Sequence, residues 1–302
     1  ASLFQGALGG ESDFISSRSL ASGTAGNIMR FSSPHGYSIG NGVVYGDEIR
    51  FVEKVVDSQT VQINQSFSKA PAVGDTTGST VSFRPAEELP SLSIYSYRSP
   101  QTALQRFLTG AVVNQMSIAV NGDFQEFQFS GQAKDVIDHL SFESPVGSLL
   151  SYPNEPTVSE LHPSIIPGHL GQAWIGNSSE RFLTVTEAEI LLDNQMEFRD
   201  QEFGSAIHSS SFAGERNVSL RFSLFEKDDA ATQSLYSAAR SQTPVSVMFQ
   251  LGQKAGQLLG IWMKSVIPEV PELDDRDTRV QWRFRESRAI GVKNDEIFIA
   301  LG

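Results

Sequence analysis

Apolar and polar residues alternate with period two along much of the chain, most clearly from Gly110 to Gly131, GAVVNQMSIAVNGDFQEFQFSG. Asn114, Met116, Ile118 and Val120 fall on one side and Gln115, Ser117 and Ala119 on the other, as a strand burying one face requires. Asn121-Gly122 follows, two residues that tolerate positive φ and close a hairpin. The return arm, Gln125 to Ser130, alternates again with Phe127 and Phe129 inward. A similar unit recurs. Glu187 to Leu192 has inward Ala188, Ile190 and Leu192 and closes on Asp193-Asn194, while Val218 to Phe225 has inward Val218, Leu220, Phe222 and Leu224. The pattern predicts two copies of one β unit.

The same reading places further elements. Short strands are expected at Asp47 to Val52, Thr60 to Ile63, Val81 to Phe83 and Leu92 to Ser96, the first three forming a small meander within 43–85. Residues 1–42 are rich in Ser and Gly with isolated apolar positions, and are expected to be an extended arm that needs a surface to lie on. Ser99-Pro100 marks the start of a short helix over Gln101 to Phe107, and Lys134 to Phe142 reads as a short helix or strand. Prolines at 145, 153, 156, 163 and 167 place a linker at 151–172, between a first β domain at 43–150 and a second at 173–302. The second carries a helix from Asp229 to Arg240 with Asp228 as N-cap, then alternating strands at Val245 to Leu251, Leu258 to Met263, Val280 to Arg285 and Ile297 to Leu301. The fold class expected is mostly β, two tandem sandwich or half-barrel domains, each sheet flanked by a short helix.

Composition narrows the chemistry. Zero cysteines among 302 residues exclude disulfides, thiolate nucleophiles and Cys-based metal sites. The formal charge of −12 works against a DNA- or membrane-binding surface, which needs concentrated Lys and Arg. No run approaches the roughly 18 apolar residues of a membrane-spanning helix, and the opening ASLFQGALGG lacks a signal peptide's basic head and apolar stretch, so synthesis in the cytoplasm is expected. No phosphate-binding loop, nucleophile elbow or zinc-protease motif is present; turns account for the glycines at 6–10 and 40–42. His35, His139, His162, His169 and His208 lack ligand spacing, and Asp274, Asp275 and Asp277 lack the glycine and terminal glutamate of a calcium loop. Glu87 and Glu88 form a loop-borne acidic pair without a partner base. No catalytic, cofactor or metal residue is assigned.

Three stretches carry a family resemblance: LTGAVVNQMSIAVNGDFQEFQFSGQAKDV from Leu108 to Val136, RNVSLRFSLFEKDDAATQSLYSAARSQTPVSVMFQLG from Arg216 to Gly252, and VQWRFRESRAIGVKNDEIFIALG at the C-terminal end. In their order of strand, turn, acidic cap and helix they resemble tail tube proteins of long, non-contractile tailed bacteriophages, in particular a two-domain group. The resemblance implies a structural virion protein, made in the host cytoplasm, whose rings join sheet to sheet and stack into a tube around a tape-measure protein. It implies neighbours at the tube ends, a tail terminator and distal tail proteins, and double-stranded DNA that crosses the lumen without specific binding. Two β units per chain point to trimeric, pseudo-hexameric rings, with hexameric rings as the alternative. The long span between Leu192 and Val218 mixes large apolar and charged side chains, and is expected to be an assembly arm carrying Phe198, Arg199, Asp200, Phe203, Ile207, Phe212 and Arg216. The competing class is a secreted or surface β-sandwich module that binds carbohydrate or mediates adhesion.

Overall fold

The structure, a computed structural model, describes residues 2–97, 106–120, 126–138, 154, 166, 171–176, 181–182, 184–199, 203, 210–275 and 278–302. The chain begins with helix α1 (Ser2–Leu8) and strands β1 (Asp13–Ile15), β2 (Ile28–Arg30), β3 (Gly42–Tyr45), β4 (Glu48–Asp57), β5 (Thr60–Ile63) and β6 (Thr80–Phe83). Its middle holds β7 (Leu92–Ser96), β8 (Arg106–Val120), β9 (Glu126–Gln132), β10 (Asp135–Asp138), β11 (Gln172–Ile175) and β12 (Val185–Asp193). A short pair, β13 (Glu197–Phe198) and β14 (Ser211–Phe212), precedes β15 (Asn217–Phe225) and helix α2 (Ala230–Ser241). The remaining strands are β16 (Val245–Leu251), β17 (Leu259–Ile267), β18 (Glu272–Asp274), β19 (Gln281–Ala289) and β20 (Phe298–Leu301).

The chain is mostly β, as expected, and the alternating runs become strands with their apolar sides inward. Met116 and Ile118 of β8, Ala188, Ile190 and Leu192 of β12, and Val218, Leu220, Phe222 and Leu224 of β15 are all buried in one core. Met116 faces Phe129 and Ile118 faces Phe127 across the β8–β9 pair, so the two arms meet as an antiparallel hairpin, shifted by two residues from the register of a two-residue Asn121-Gly122 turn, which would set Ile118 opposite Gln125. Its turn, 121–125, lies outside the described residues. Strand β8 is longer than the alternation indicates and bends at Gly110, whose φ of 57° is one that glycine adopts readily. Beyond the bend it pairs with β7 and β10.

A 14-stranded antiparallel sheet runs β1-β6-β20-β17-β19-β15-β12-β8, with β9 and β10 along the outer edge of β8. It doubles back on itself where β17 meets β19 at only two positions, Val266 opposite Ala289 and Ile267 opposite Arg288. One layer of the resulting sandwich is β9-β8-β12-β15-β19-β18; the other is β11-β16-β17-β20-β6-β1. The main core lies between them, with Phe222 stacked on Phe284 at 4.2 Å between centroids. Such a pair adds about 0.5–1.5 kcal/mol beyond the area it buries.

A third layer packs on the other side of β16. The four-stranded meander β2-β5-β4-β3 packs on the outside of the second layer. Val247, Phe249 and Leu251 face the main core, while Met248 joins Phe51, Trp174, Trp262 and Phe298 in a separate core under the meander. The expected alternation of Val245, Val247, Phe249 and Leu251 therefore holds, and of the three residues between them only Met248 is apolar, Ser246 and Gln250 being polar. Arg50, almost fully buried, is the polar pin of this interface: it donates to Ile49 O at 2.7 Å and Gln250 Oε1 at 3.0 Å, pairs with Glu48 at 3.1 Å and lies over the Trp174 ring at 4.3 Å. Burial pulls its guanidinium below the ordinary range, while Glu48 opposes the shift. Gly40, at φ 86°, is where the chain passes closest; a Cβ there would come within 2.1 Å of the Phe298 ring.

Several expectations are corrected. Residues 1–42 are no extended arm: Ser2–Leu8 is helical, Phe4, Ala7 and Leu8 belong to the main core, β1 pairs with β6, and β2 pairs with β5. The surface this segment needs is supplied by its own chain, because its sparse apolar residues fall at helical spacing at the start and singly thereafter. Arg106 and Phe107, expected to end a helix, begin β8; residues 98–105 lie outside the described residues. Within 134–142 the described part is strand β10. The N-cap of α2 is Asp229, which accepts from Thr232 N, rather than Asp228. Asp274 belongs to a strand rather than a loop, and Asp277 lies outside the described residues. The prolines at 145, 153, 156, 163 and 167 also fall outside.

Candidate assembly surfaces

The described part of the long connection after Leu192 is a short antiparallel pair of strands. Strand β12 ends at Asp193, paired with Asn217, and the two chains continue as β13 and β14, with Glu197 opposite Phe212 and Phe198 opposite Ser211. Two-residue strands cannot stand alone in water, so the hairpin depends on its root. There Asn194, almost fully buried, donates from Nδ2 to Ala7 O at 2.9 Å and Val113 O at 3.1 Å. Met196 N donates to Asn114 Oδ1 at 2.8 Å, and Gly214 N to Asn194 O at 3.0 Å.

The structure brings three of the proposed arm residues together. Arg199 lies over the Phe212 ring at 5.2 Å, and Phe198 packs beside Gly110, Val112 and Lys134 around a cavity of about 170 Å³. Phe203 is fully exposed and Phe212 is 53% exposed, a concentration of apolar surface uncommon on a solvated hairpin. Asp200 and Ile207 lie outside the described residues. Arg216 departs from the group: it turns inward and donates to Ala86 O at 2.5 Å, Leu8 O at 3.3 Å, Asn194 Oδ1 at 3.2 Å and Asn294 Oδ1 at 3.3 Å, with Glu296 at 3.8 Å. Desolvation draws its guanidinium below the ordinary range against the pull of Glu296. It closes the C-terminal end of α1, where unpaired carbonyls favour a cation. The sequence offered no sign of this role, nor of the parts played by Asn114 and Asn194, since their partners are distant in the chain.

A second surface is the edge formed by β9 and β10. Among the described residues these strands pair with β8 alone, so they form the edge of the sheet. At the opposite edge of the same layer lies β18, with Leu273 exposed.

The third is the outward face of β8, β12, β15 and β19, on which no other layer packs among the described residues. Arg221 meets Glu189 at 3.7 Å, Arg283 meets Asp274 at 2.6 Å, Arg285 meets Glu272 at 2.6 Å and Arg288 meets Glu215 at 3.6 Å. Ser117 donates to Glu189 at 3.2 Å and Ser223 to Glu187 at 2.9 Å.

Of the candidate titratable groups, His139, His162, His169 and His208 lie outside the described residues, and His35 and Glu87 sit in structural contacts. His35 is buried, accepting from Tyr37 N at Nδ1 and donating from Nε2 to Asp57 O. Glu87 pairs with Lys293 at 2.7 Å on the surface, and that ammonium holds its carboxyl below the usual range. Among the described residues no group of three His, Asp or Glu side chains could hold a metal, and no helix is long and apolar enough to cross a membrane.

Curated proteins compared with this sequence give no match. The family described as phage tail tube protein matches residues 2–285, nearly the whole chain. On that match the chain belongs to the phage tail tube protein family, structural proteins of the virion tail.

Proposed function

We propose that this chain is the repeating subunit of the tail tube, closing into rings through the β9–β10 edge and stacking through the β13–β14 hairpin. The observation that carries the proposal is the strand order of the first layer. Its six strands, β9, β8, β12, β15, β19 and β18, alternate in direction throughout. Rotation about an axis along the strands preserves each direction, so the β18 edge of one subunit and the β9 edge of the next run antiparallel. An even, alternating layer therefore closes into a ring without breaking the pattern, and the repeated contact is heterologous.

Each chain contributes two hairpins to this layer, β8–β9 and β12–β15, in keeping with one β unit in each of the domains at 43–150 and 173–302. Three chains then supply six units per ring. The tube surrounds a tape-measure protein during assembly, meets terminator and distal proteins at its ends, and conducts DNA during ejection. No residue in it performs covalent chemistry.

Electron microscopy of the purified protein tests the proposal: stacked rings with three complete chains each are expected. Replacing Gln195 to Glu215 by Asn-Gly is expected to leave a folded subunit that does not polymerise. Dispersed wild-type monomers refute the tube; six complete chains per ring refute the trimer; normal tubes from the shortened chain refute the hairpin as the stacking element.

A further inference from the structure

Resting on the tube reading, we infer that helix α1 is a coupling element: docked in the main core, it holds the β9 edge on one side and the root of the β13–β14 hairpin on the other, so that ring closure and stacking favour one another.

Nothing in its own sequence keeps α1 helical. Its seven residues, SLFQGAL, carry no acidic side chain in the first turn and no basic one in the last, and Gly6 sits within it. Isolated helices shorter than about 12 residues are marginal in water, so α1 has two states, docked and helical or undocked and unfolded. The docked state draws on two places. Phe4 lies edge-on to Phe127 at 5.1 Å and to Phe129 at 5.5 Å between centroids, both side chains of β9, and tilted against Phe83 at 5.2 Å. At the other end the last carbonyls, which a helix leaves without internal partners, are taken up by the hairpin root: Asn194 Nδ2 donates to Ala7 O and Arg216 Nη2 to Leu8 O.

The same two side chains belong to the root. Asn194 donates from its backbone N–H to Asn114 O at 2.8 Å, its carbonyl accepts from Gly214 N at 3.0 Å, and its Oδ1 accepts from Arg216 Nε at 3.2 Å. Undocking of α1 therefore strips Asn194 and Arg216 of acceptors, and displacement of the root strips α1 of its C-terminal donors. A neighbour that pairs with β9 fixes Phe127 and Phe129 where Phe4 needs them. A neighbour that holds the hairpin fixes Asn194 and Arg216 where Ala7 and Leu8 need them. Both contacts bias one equilibrium towards the docked helix, and coupling of this kind is reciprocal, so each contact strengthens the other. A subunit whose α1 has undocked is then a poor partner at both surfaces at once.

The test begins on the unpolymerised full chain. Hydrogen exchange is followed at Gly9 N, which donates to Gln5 O in α1, at Met196 N and Gly214 N in the hairpin root, and along the β16–β17 pair. In the wild type, Gly9, Met196 and Gly214 are expected to share one opening constant, at least about tenfold above that of the slowest β16–β17 amides. F4A removes the ring that packs against Phe127 and Phe129, and should raise exchange at all three amides by a common factor of at least about tenfold. Root amides that keep their wild-type rates in F4A overturn the coupling of α1 to the root. Opening constants equal to those of the β16–β17 amides overturn it too, because α1 then opens only with the whole subunit. If F4A fails to fold, F4L is measured instead, with a smaller common factor expected and unchanged root amides again decisive against the coupling. In wild-type tubes Gly9 N should exchange at least about tenfold more slowly than in the free subunit, and an unchanged rate overturns the link to assembly. A wild-type chain that forms no tubes defeats the tube reading, whereas the free-subunit measurements still decide whether α1 holds the root.

Discussion

Replacing Arg216 by Met removes a guanidinium that serves four acceptors on four segments. Their fates differ. Leu8 O keeps Ala86 N as a donor at 2.7 Å, and Asn294, less enclosed, can turn to water. Ala86 O and the buried Asn194 Oδ1 lose the donors described above, and an orphaned buried acceptor costs about 1–3 kcal/mol. Glu296 also loses its counter-charge. Methionine returns some apolar packing, leaving a net loss of about 2–4 kcal/mol against a typical total of about 5–15 kcal/mol. The assay is denaturant unfolding of the unpolymerised subunit, with hydrogen exchange at Gly9 N, which donates to Gln5 O in α1, as the local readout. The midpoint should fall with the slope unchanged, and Gly9 protection should fall with it. R216K should restore less than half, since an ammonium cannot reproduce the planar fork. A loss below about 1 kcal/mol, the scale of one ordinary hydrogen bond, would refute the reasoning.

The other predictions separate parts of the molecule. F203S/F212S should leave the unfolding midpoint within about 0.5 kcal/mol of wild type yet abolish tube growth by light scattering; tubes at the normal rate count against the hairpin contact. G40A should lose about 2 kcal/mol or more through an unfavourable φ and collision with Phe298, measured by the melting midpoint. D229A should cost about 1 kcal/mol at neutral pH by removing the α2 cap. The Thr232 backbone N–H, the Thr232 hydroxyl and Lys227 hold the Asp229 carboxyl down to about 2, from an ordinary 3.8. A depressed carboxylate contributes stability that is complete above its unfolded pKa and is lost as pH falls through 3.8 towards about 2, so D229N should show a flatter acid limb than wild type in that window.

The strands were legible wherever one face is buried and the other wet. Met116 and Ile118, Ala188 to Leu192 and Val218 to Leu224 announce their inward sides because water enforces the alternation. β16 was legible as well, since Val245, Val247, Phe249 and Leu251 mark its main-core side although Met248 enters a second core. Legibility failed at α1, which is too short and glycine-containing to present a long stripe. The α2 cap was misplaced by one because Asp228 and Asp229 are equally suited chemically, and only the backbone decides which one turns extended. The arm was visible as an odd mixture of Phe and charge, but its pairing of Phe198 with Ser211 was not. Arg216 looked like one more charge in that mixture. Its inward turn depends on Leu8 and Ala86, residues that no local pattern connects to it.

The position of β20 between β17 and β6 has a kinetic meaning. Ile299 pairs with Phe83, and Ile261 with the same Ile299, so the first strands of the chain reach the body of the sheet only through one of the last. A nascent chain emerging N-terminus first must keep one side of β6 open until β20 has been made. Contacts of such sequence separation form slowly, because a long loop must close before they return any stabilisation. The native subunit is therefore completed late in synthesis, since the junction of β6 with the rest of the sheet waits for β20 rather than following the order of translation.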